Sequence, residues 1–188
     1  MTGLTACDNG TTTIKAPTND SAKPAAPVAT NEPQSKLGST GTPVLMNLVN
    51  KYYNLKNALV ATKSVEVGTA ATQLLASADS MVAFLQTDKT NEPALRPYID
   101  TIIAQSKVVN SVKDESCEKQ RTAFSGMTGA IFGLVKKAEL KHAHIYQQFC
   151  PMAMNDKGAY WLSDIADVKN PYYGKKMLEC GEVTDSLQ

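Results

Sequence analysis

Hydrophobic side chains recur at intervals of three and four residues along the central part of the chain, and this spacing predicts four amphipathic helices. The first helix is expected over about residues 43–62, because Thr42 suits an N-cap and Pro43 the first helical position. One face of it carries the apolar residues Leu45, Leu48, Val49, Tyr52, Leu55 and Leu59. The same period predicts three further helices, over about residues 66–87, 93–112 and 115–140.

The connections between these helices are short, which predicts an up-down four-helix bundle and a mainly α fold. Three glycines in the fourth helix, Gly126, Gly129 and Gly133, each weaken it by about 1 kcal/mol relative to alanine unless they permit close helix packing or a bend. Four sulfur-containing residues of the bundle are interpreted as core: Met46, Met81, Cys117 and Met127.

The helical period ends after Leu140, and a different pattern follows. Residues 145–150 alternate like a short strand, residues 155–158 suit a turn, and residues 159–162 suit a return strand. We therefore expect a small loop and β-hairpin segment at the C-terminal end, packed on the bundle. Its aromatic residues Tyr160, Trp161, Tyr172 and Tyr173 are the expected packing groups.

The N-terminal part has a tether-like composition. Residues 8–42 are rich in Thr, Ala, Pro, Ser, Asn and Gly and contain no aromatic residue, which predicts a disordered tether. Immediately before it, Leu4-Thr5-Ala6-Cys7 resembles a bacterial lipobox, which implies lipidation of Cys7. Only residues 1–6 precede Cys7, too few for a complete signal peptide, so we interpret residues 1–7 as the remnant of one.

Charge, composition and the motifs that the sequence lacks argue against a nucleic-acid-binding protein, a membrane-spanning protein and an enzyme. The 188 residues carry 19 basic and 18 acidic side chains, a net charge of +1, which argues against a nucleic-acid partner. No apolar stretch reaches the roughly 18 residues of a membrane span, so we expect membrane attachment through the lipid anchor alone. Ser163-Asp164 has no histidine within reach in the sequence, and neither a phosphate loop nor a nucleophile elbow occurs, so we expect no enzyme.

Several motifs together resemble the DUF3347 domain family over about residues 43–184. The fourth helix contributes Lys119-Gln120-Arg121-x-Ala123-Phe124. Residues 143–184 contribute Tyr146-x-x-x-Cys150-Pro151-Met152-Ala153, Gly158-Ala159-x-Trp161-Leu162-Ser163 and Asn170-Pro171-Tyr172-x-Gly174-x-x-Met177-x-x-Cys180-Gly181. The resemblance implies a protein of the bacterial cell envelope that faces the periplasm. It also implies a role related to copper or silver, because such domains occur alone or attached to efflux adaptors of the CusB type.

The sulfur atoms of this segment form a candidate soft-metal site. Cys150 and Met152 point the same way in an extended chain, and Met177 and Cys180 share a helical turn. With Met154 they offer two thiolates and three thioethers, a set that favours Cu(I) or Ag(I) over hard cations. We expect such an ion to be buffered or handed over to an efflux adaptor.

Two alternatives to this site stay open. In an oxidising compartment Cys150 and Cys180 suit a structural disulfide, and the domain is then an interaction module without metal. A zinc site is less favoured, because tetrahedral zinc usually takes four Cys or His ligands. His142 and His144 are its available imidazoles, and His144 lies about 20 Å from Cys150 along a straight strand.

Overall fold

Four long helices form the main body of the protein in a computed structural model that describes residues 1–3 and 32–187. They are α1 (Gly38–Ala61), α2 (Ser64–Thr87), α3 (Glu92–Ser111) and α4 (Glu118–Lys137). Each helix packs mainly on its neighbours in sequence, which confirms the expected mainly helical fold. Within the described part of the chain, no helix combines the length and apolar character that crossing a bilayer requires. Cys7 and most of the predicted tether lie outside the described residues.

Helix α1 begins at Gly38, earlier than the start at Pro43 that the sequence predicted. Thr42 is therefore not the N-cap but a buried residue of the helix, and its hydroxyl lies 2.8 Å from the Ser35 hydroxyl. The first turn packs closely on α2, because a Cβ atom at Gly41 would lie 2.4 Å from Phe84 Cζ. Residues 38–42, predicted as the end of the tether, are thus part of the helical body.

The predicted apolar face of α1 is fully buried, and Tyr52 extends it toward other elements. The Tyr52 ring stacks on Phe124 of α4 with 5.1 Å between centroids, and its hydroxyl lies 2.9 Å from the Thr128 hydroxyl. The same oxygen accepts a hydrogen bond from the Leu162 backbone N–H. Cys117, Met81 and Met127 are also fully buried, as expected for core residues, whereas Met46 is only partly buried.

The C-terminal segment contains the predicted hairpin and one more strand. Strand β1 (Ile145–Cys150) pairs antiparallel with β2 (Ala159–Ser163), and the one-turn helix α5 (Ala153–Asp156) lies between them. Strand β3 (Glu182–Leu187) pairs with the other edge of β1, which gives the sheet order β2-β1-β3. The sequence did not predict β3, because its residues are mostly polar and exposed and lack an apolar alternation.

Two glycines of α4 provide a matched test of the packing. Gly129 is exposed with no atom within 4 Å of an added Cβ, whereas a Cβ at Gly133 would lie 2.4 Å from Tyr98 Cε1 of α3. We expect Gly129→Ala to raise the free energy of unfolding by about 1 kcal/mol, from helix propensity alone. Gly133→Ala is expected to lower it by about 1 to 3 kcal/mol through overpacking. Chemical denaturation measures both, and equal effects of the two substitutions would contradict the close contact between α3 and α4.

Candidate functional site

Cys150 and Cys180 are joined by a disulfide in this structure. Cys150 ends β1 and Cys180 lies two residues before β3. The pairing of these two strands brings the cysteines together with Cα atoms 5.8 Å apart. The bond closes a loop with a sequence separation of 30 residues that contains α5 and β2. While the bond is intact, neither sulfur is available as a thiolate ligand.

The three methionines of the predicted soft-metal site lie on this closed loop. Met152 precedes α5 and is 45% exposed, and its carbonyl accepts a hydrogen bond from the Tyr173 hydroxyl. Met154 is partly buried and has a left-handed backbone. Met177 follows the 3₁₀ turn Gly174–Lys176, and its carbonyl accepts a hydrogen bond from Cys180 N–H at 3.2 Å. Thus Met152 and Met154 closely follow Cys150 in the sequence, and Met177 comes three residues before Cys180.

The histidines lie at the other end of β1. His142 and His144 are both exposed, and both have positive φ angles in the connection between α4 and β1. Strand β1 separates them from Cys150 by roughly 20 Å at the usual rise per residue. Over residues 1–3 and 32–187, no three side chains of the His, Cys, Asp or Glu type converge as potential metal ligands.

Ser163 and Asp164 are positioned by a buried lysine. Lys56 of α1 is almost fully buried, and its ammonium donates hydrogen bonds to Ser163 Oγ at 3.1 Å and Asp164 Oδ1 at 3.3 Å. Burial lowers the pKa of Lys56, and the Asp164 carboxylate opposes that shift. Ser163 is itself fully buried, so this group fastens the end of β2 to α1.

A buried guanidinium connects the bundle to the C-terminal segment. Arg121 is 7% exposed on the inward face of α4, and its Nε donates a hydrogen bond to the Pro171 carbonyl at 2.8 Å. Its Nη2 donates to the Leu59 carbonyl at 3.2 Å and to Thr62 Oγ1 at 2.9 Å, and its Nη1 donates to the Ser116 carbonyl. Burial lowers the pKa of Arg121. No carboxylate among the described residues forms an ion pair with it.

Asn170 organises the loop that Arg121 holds. Its side-chain oxygen accepts hydrogen bonds from the N–H groups of Tyr172 at 2.7 Å and Tyr173 at 3.2 Å, and its side-chain nitrogen donates to the Cys180 carbonyl at 2.8 Å. Gly174 follows with φ +56°, and a Cβ there would lie 2.5 Å from Thr62 Oγ1. The segment Asn170-Pro171-Tyr172-Tyr173-Gly174 is therefore a turn that packs on the helices, and this packing explains its residue types.

A cavity of about 630 Å³ opens where this loop meets the helices. The residues after α1, the first turn of α4, α5 and the 3₁₀ turn form its walls. Its charged and larger side chains are Glu118, Arg121, Met154, Tyr172, Tyr173, Lys175 and Lys176. Of the predicted site residues, only Met154 lines it.

The sequence interpretation missed the role of Arg121, although a signal was present. Arg121 follows Cys117 by four residues and precedes Phe124 by three, so it lies on the same inward helix face as these two core residues. An arginine on an apolar face requires several acceptors. The acceptors come from segments far apart in the chain, so the sequence did not identify them.

A comparison with protein families finds a match over the helical part of the chain. The family described as "Protein of unknown function (DUF3347)" matches residues 48–143, slightly more than half of the chain. The match runs from α1 to the connection after α4 and ends before β1, so the Cys/Met motifs lie outside it. No curated protein and no solved structure matches the chain.

The disulfide leads to a direct chemical test. We expect proteolysis without reductant to yield one peptide pair that joins Cys150 to Cys180, detected by mass spectrometry, with Cys117 as a free buried thiol. The double variant Cys150→Ala/Cys180→Ala is expected to lose roughly 3 to 4 kcal/mol of unfolding free energy on the loop-entropy model. The matched control is reductant, which should destabilise the wild type and leave the variant unchanged. Free thiols at Cys150 and Cys180 in protein from an oxidising compartment would contradict the structural disulfide.

Proposed function

The chain belongs to the DUF3347 family, and on this basis we propose that it is an interaction module of the bacterial envelope that serves a soft-metal efflux or envelope complex. In this proposal Cys7 carries the lipid anchor, and the tether lets the domain face the periplasm. The observation that carries it is the Cys150–Cys180 disulfide, since such bonds persist in oxidising compartments. The bond gives the C-terminal segment one fixed shape, as a docking surface requires.

The surface of this segment supports docking. Large apolar side chains are exposed at several of its positions, namely Met152, Tyr160, Ile165 and Val183. The Tyr160 ring also packs on Phe149, with ring centroids 4.5 Å apart, so it is held in place before any partner binds. Tyrosine and methionine are enriched in the centres of protein interfaces. An efflux adaptor of the envelope is the partner that the family setting suggests.

The docking proposal predicts a localised effect of apolar substitutions. Tyr160→Ser combined with Ile165→Ser is expected to weaken binding of an efflux adaptor of the CusB type at least about tenfold, as measured by biolayer interferometry. The matched control is Val65→Ser with Val108→Ser, which removes two exposed apolar side chains from the helices. Equal weakening by both pairs, or by neither, would contradict a docking surface on the C-terminal segment.

A second candidate function is binding of Cu(I) or Ag(I), and the placement of the methionines favours it. Met152, Met154 and Met177 lie on the one loop that the disulfide closes. Thioethers bind soft cations without deprotonation, so they stay available in the oxidised protein. Reduction would add the thiolates of Cys150 and Cys180, which would make affinity dependent on redox state.

A metal titration separates the two functions. Oxidised and reduced protein are titrated with Cu(I) in competition with a chromophoric chelator. We expect tighter binding in the reduced state and loss of binding in Met152→Leu/Met154→Leu/Met177→Leu with both cysteines replaced by alanine. The matched control is Met46→Leu/Met81→Leu/Met127→Leu in the bundle, which should bind as the wild type does. Absence of binding in both redox states would exclude the second candidate and leave the docking proposal intact.

A further inference from the structure

The cavity next to Arg121 concentrates positive charge in a nearly neutral protein. Arg121, Lys175 and Lys176 line it against the single carboxylate of Glu118, so three cations minus one anion give a local charge of +2. The whole chain has a net charge of only +1. The charge of the cavity is therefore a local feature and does not reflect a generally basic surface.

The buried cation of this cavity makes no direct ion pair with any carboxylate that the structure describes, although Glu118 and Asp114 are near enough to oppose the lowering of its pKa by burial. Arg121 is more than nine-tenths buried, and all four of its hydrogen-bond acceptors are neutral carbonyl or hydroxyl oxygens. A guanidinium has five N–H donors, so one remains without an acceptor among the described residues. Buried charges in proteins are normally paired with an opposite charge. An anion in the cavity would supply that charge.

The remaining donors point to a particular class of anion. Lys175 and Lys176 are exposed, and neither makes a hydrogen bond or an ion pair with any side chain that the structure describes. The cavity also includes the first turn of α4, where the Asp114 carboxylate already accepts a hydrogen bond from the Lys119 N–H, so the side chains and not the helix end are the donors left for a ligand. Three cationic side chains around one cavity suit a doubly charged oxyanion better than a carboxylate with one charge.

The other wall of the cavity is apolar and aromatic. Met154, Tyr172 and Tyr173 form it, and the Tyr173 hydroxyl is already used by the Met152 carbonyl. At about 630 Å³ the cavity has the size of a typical small-molecule site and exceeds what inorganic phosphate alone would fill. We propose that this cavity binds the phosphate group of an organic phosphate monoester, with its organic part against the tyrosines. This inference does not rest on the docking or metal proposals, although the cavity shares Met154 with the candidate metal ligands.

The test uses the full chain labelled for NMR and titrated at constant ionic strength with phenyl phosphate, inorganic phosphate and benzoate. Saturable shifts of the Thr122 and Asn155 amides are expected, with phenyl phosphate binding at least about tenfold more tightly than the other two anions. Lys175→Gln/Lys176→Gln should weaken phenyl phosphate binding at least about tenfold. Both lysines are exposed, so this variant should keep the wild-type thermal unfolding curve.

The matched control removes the same charge elsewhere. Lys137 ends α4 and Lys141 follows it, roughly 30 Å from the first turn of the helix, so Lys137→Gln/Lys141→Gln should leave affinity within about twofold of the wild type. Three results would overturn the proposal: no saturable shift on the wild type, equal affinity for benzoate and phenyl phosphate, or equal weakening by the two lysine pairs. The shifts on the wild type require no substitution, so the proposal is tested even if a variant misfolds.

Discussion

The packing of the C-terminal segment on the helices depends on the Arg121 guanidinium. It donates hydrogen bonds to the end of α1, to the residue before Cys117 and to the Pro171 carbonyl, which are three segments distant in sequence. Burying the guanidinium charge costs free energy unless its N–H groups find hydrogen-bond acceptors. All of these acceptors must therefore be in place at the same time. Since the Leu59 and Pro171 carbonyls bond to the same guanidinium, the position of the loop on the helices is fixed. The cavity exists because that arrangement leaves a gap beside the guanidinium.

The disulfide fixes the same loop from its other side. The Asn170 side chain links the turn at residues 170–174 to the Cys180 carbonyl through a hydrogen bond, and Cys180 is bonded to Cys150 at the end of β1. One closed loop thus carries the methionine thioethers, the exposed Tyr160 and the two lysines of the cavity. Residues of the proposed docking surface, of the candidate soft-metal site and of the proposed anion cavity therefore lie on one covalently closed loop. A change in the redox state of that frame would act on all three.

The periodic parts of the structure were predictable from the sequence. Apolar spacing gave four helices and the buried face of α1, because helix packing selects one stripe of side chains regardless of the partner. The alternation before Cys150 and the turn at residues 155–158 predicted the β1–β2 hairpin in the same way. The sequence placed the start of α1 at Pro43 because Thr42 suits an N-cap, whereas the helix begins at Gly38 and Gly41 permits its first turn to pack on Phe84.

The sequence by itself thus determined the helical body, the hairpin and the residue types of a sulfur-rich segment, since each depends on spacing within about twenty residues. It left the pairing state of Cys150 and Cys180 open, because either a metal or a disulfide suits two cysteines in one segment. Only the tertiary structure decided that β3 lies beside β1, which brings the two sulfurs together. It also decided what Arg121 contacts and that Lys175 and Lys176 lie near it. The physical reason is that these contacts join residues 30 or more positions apart in the sequence, and local propensity carries no information about contacts at such separations.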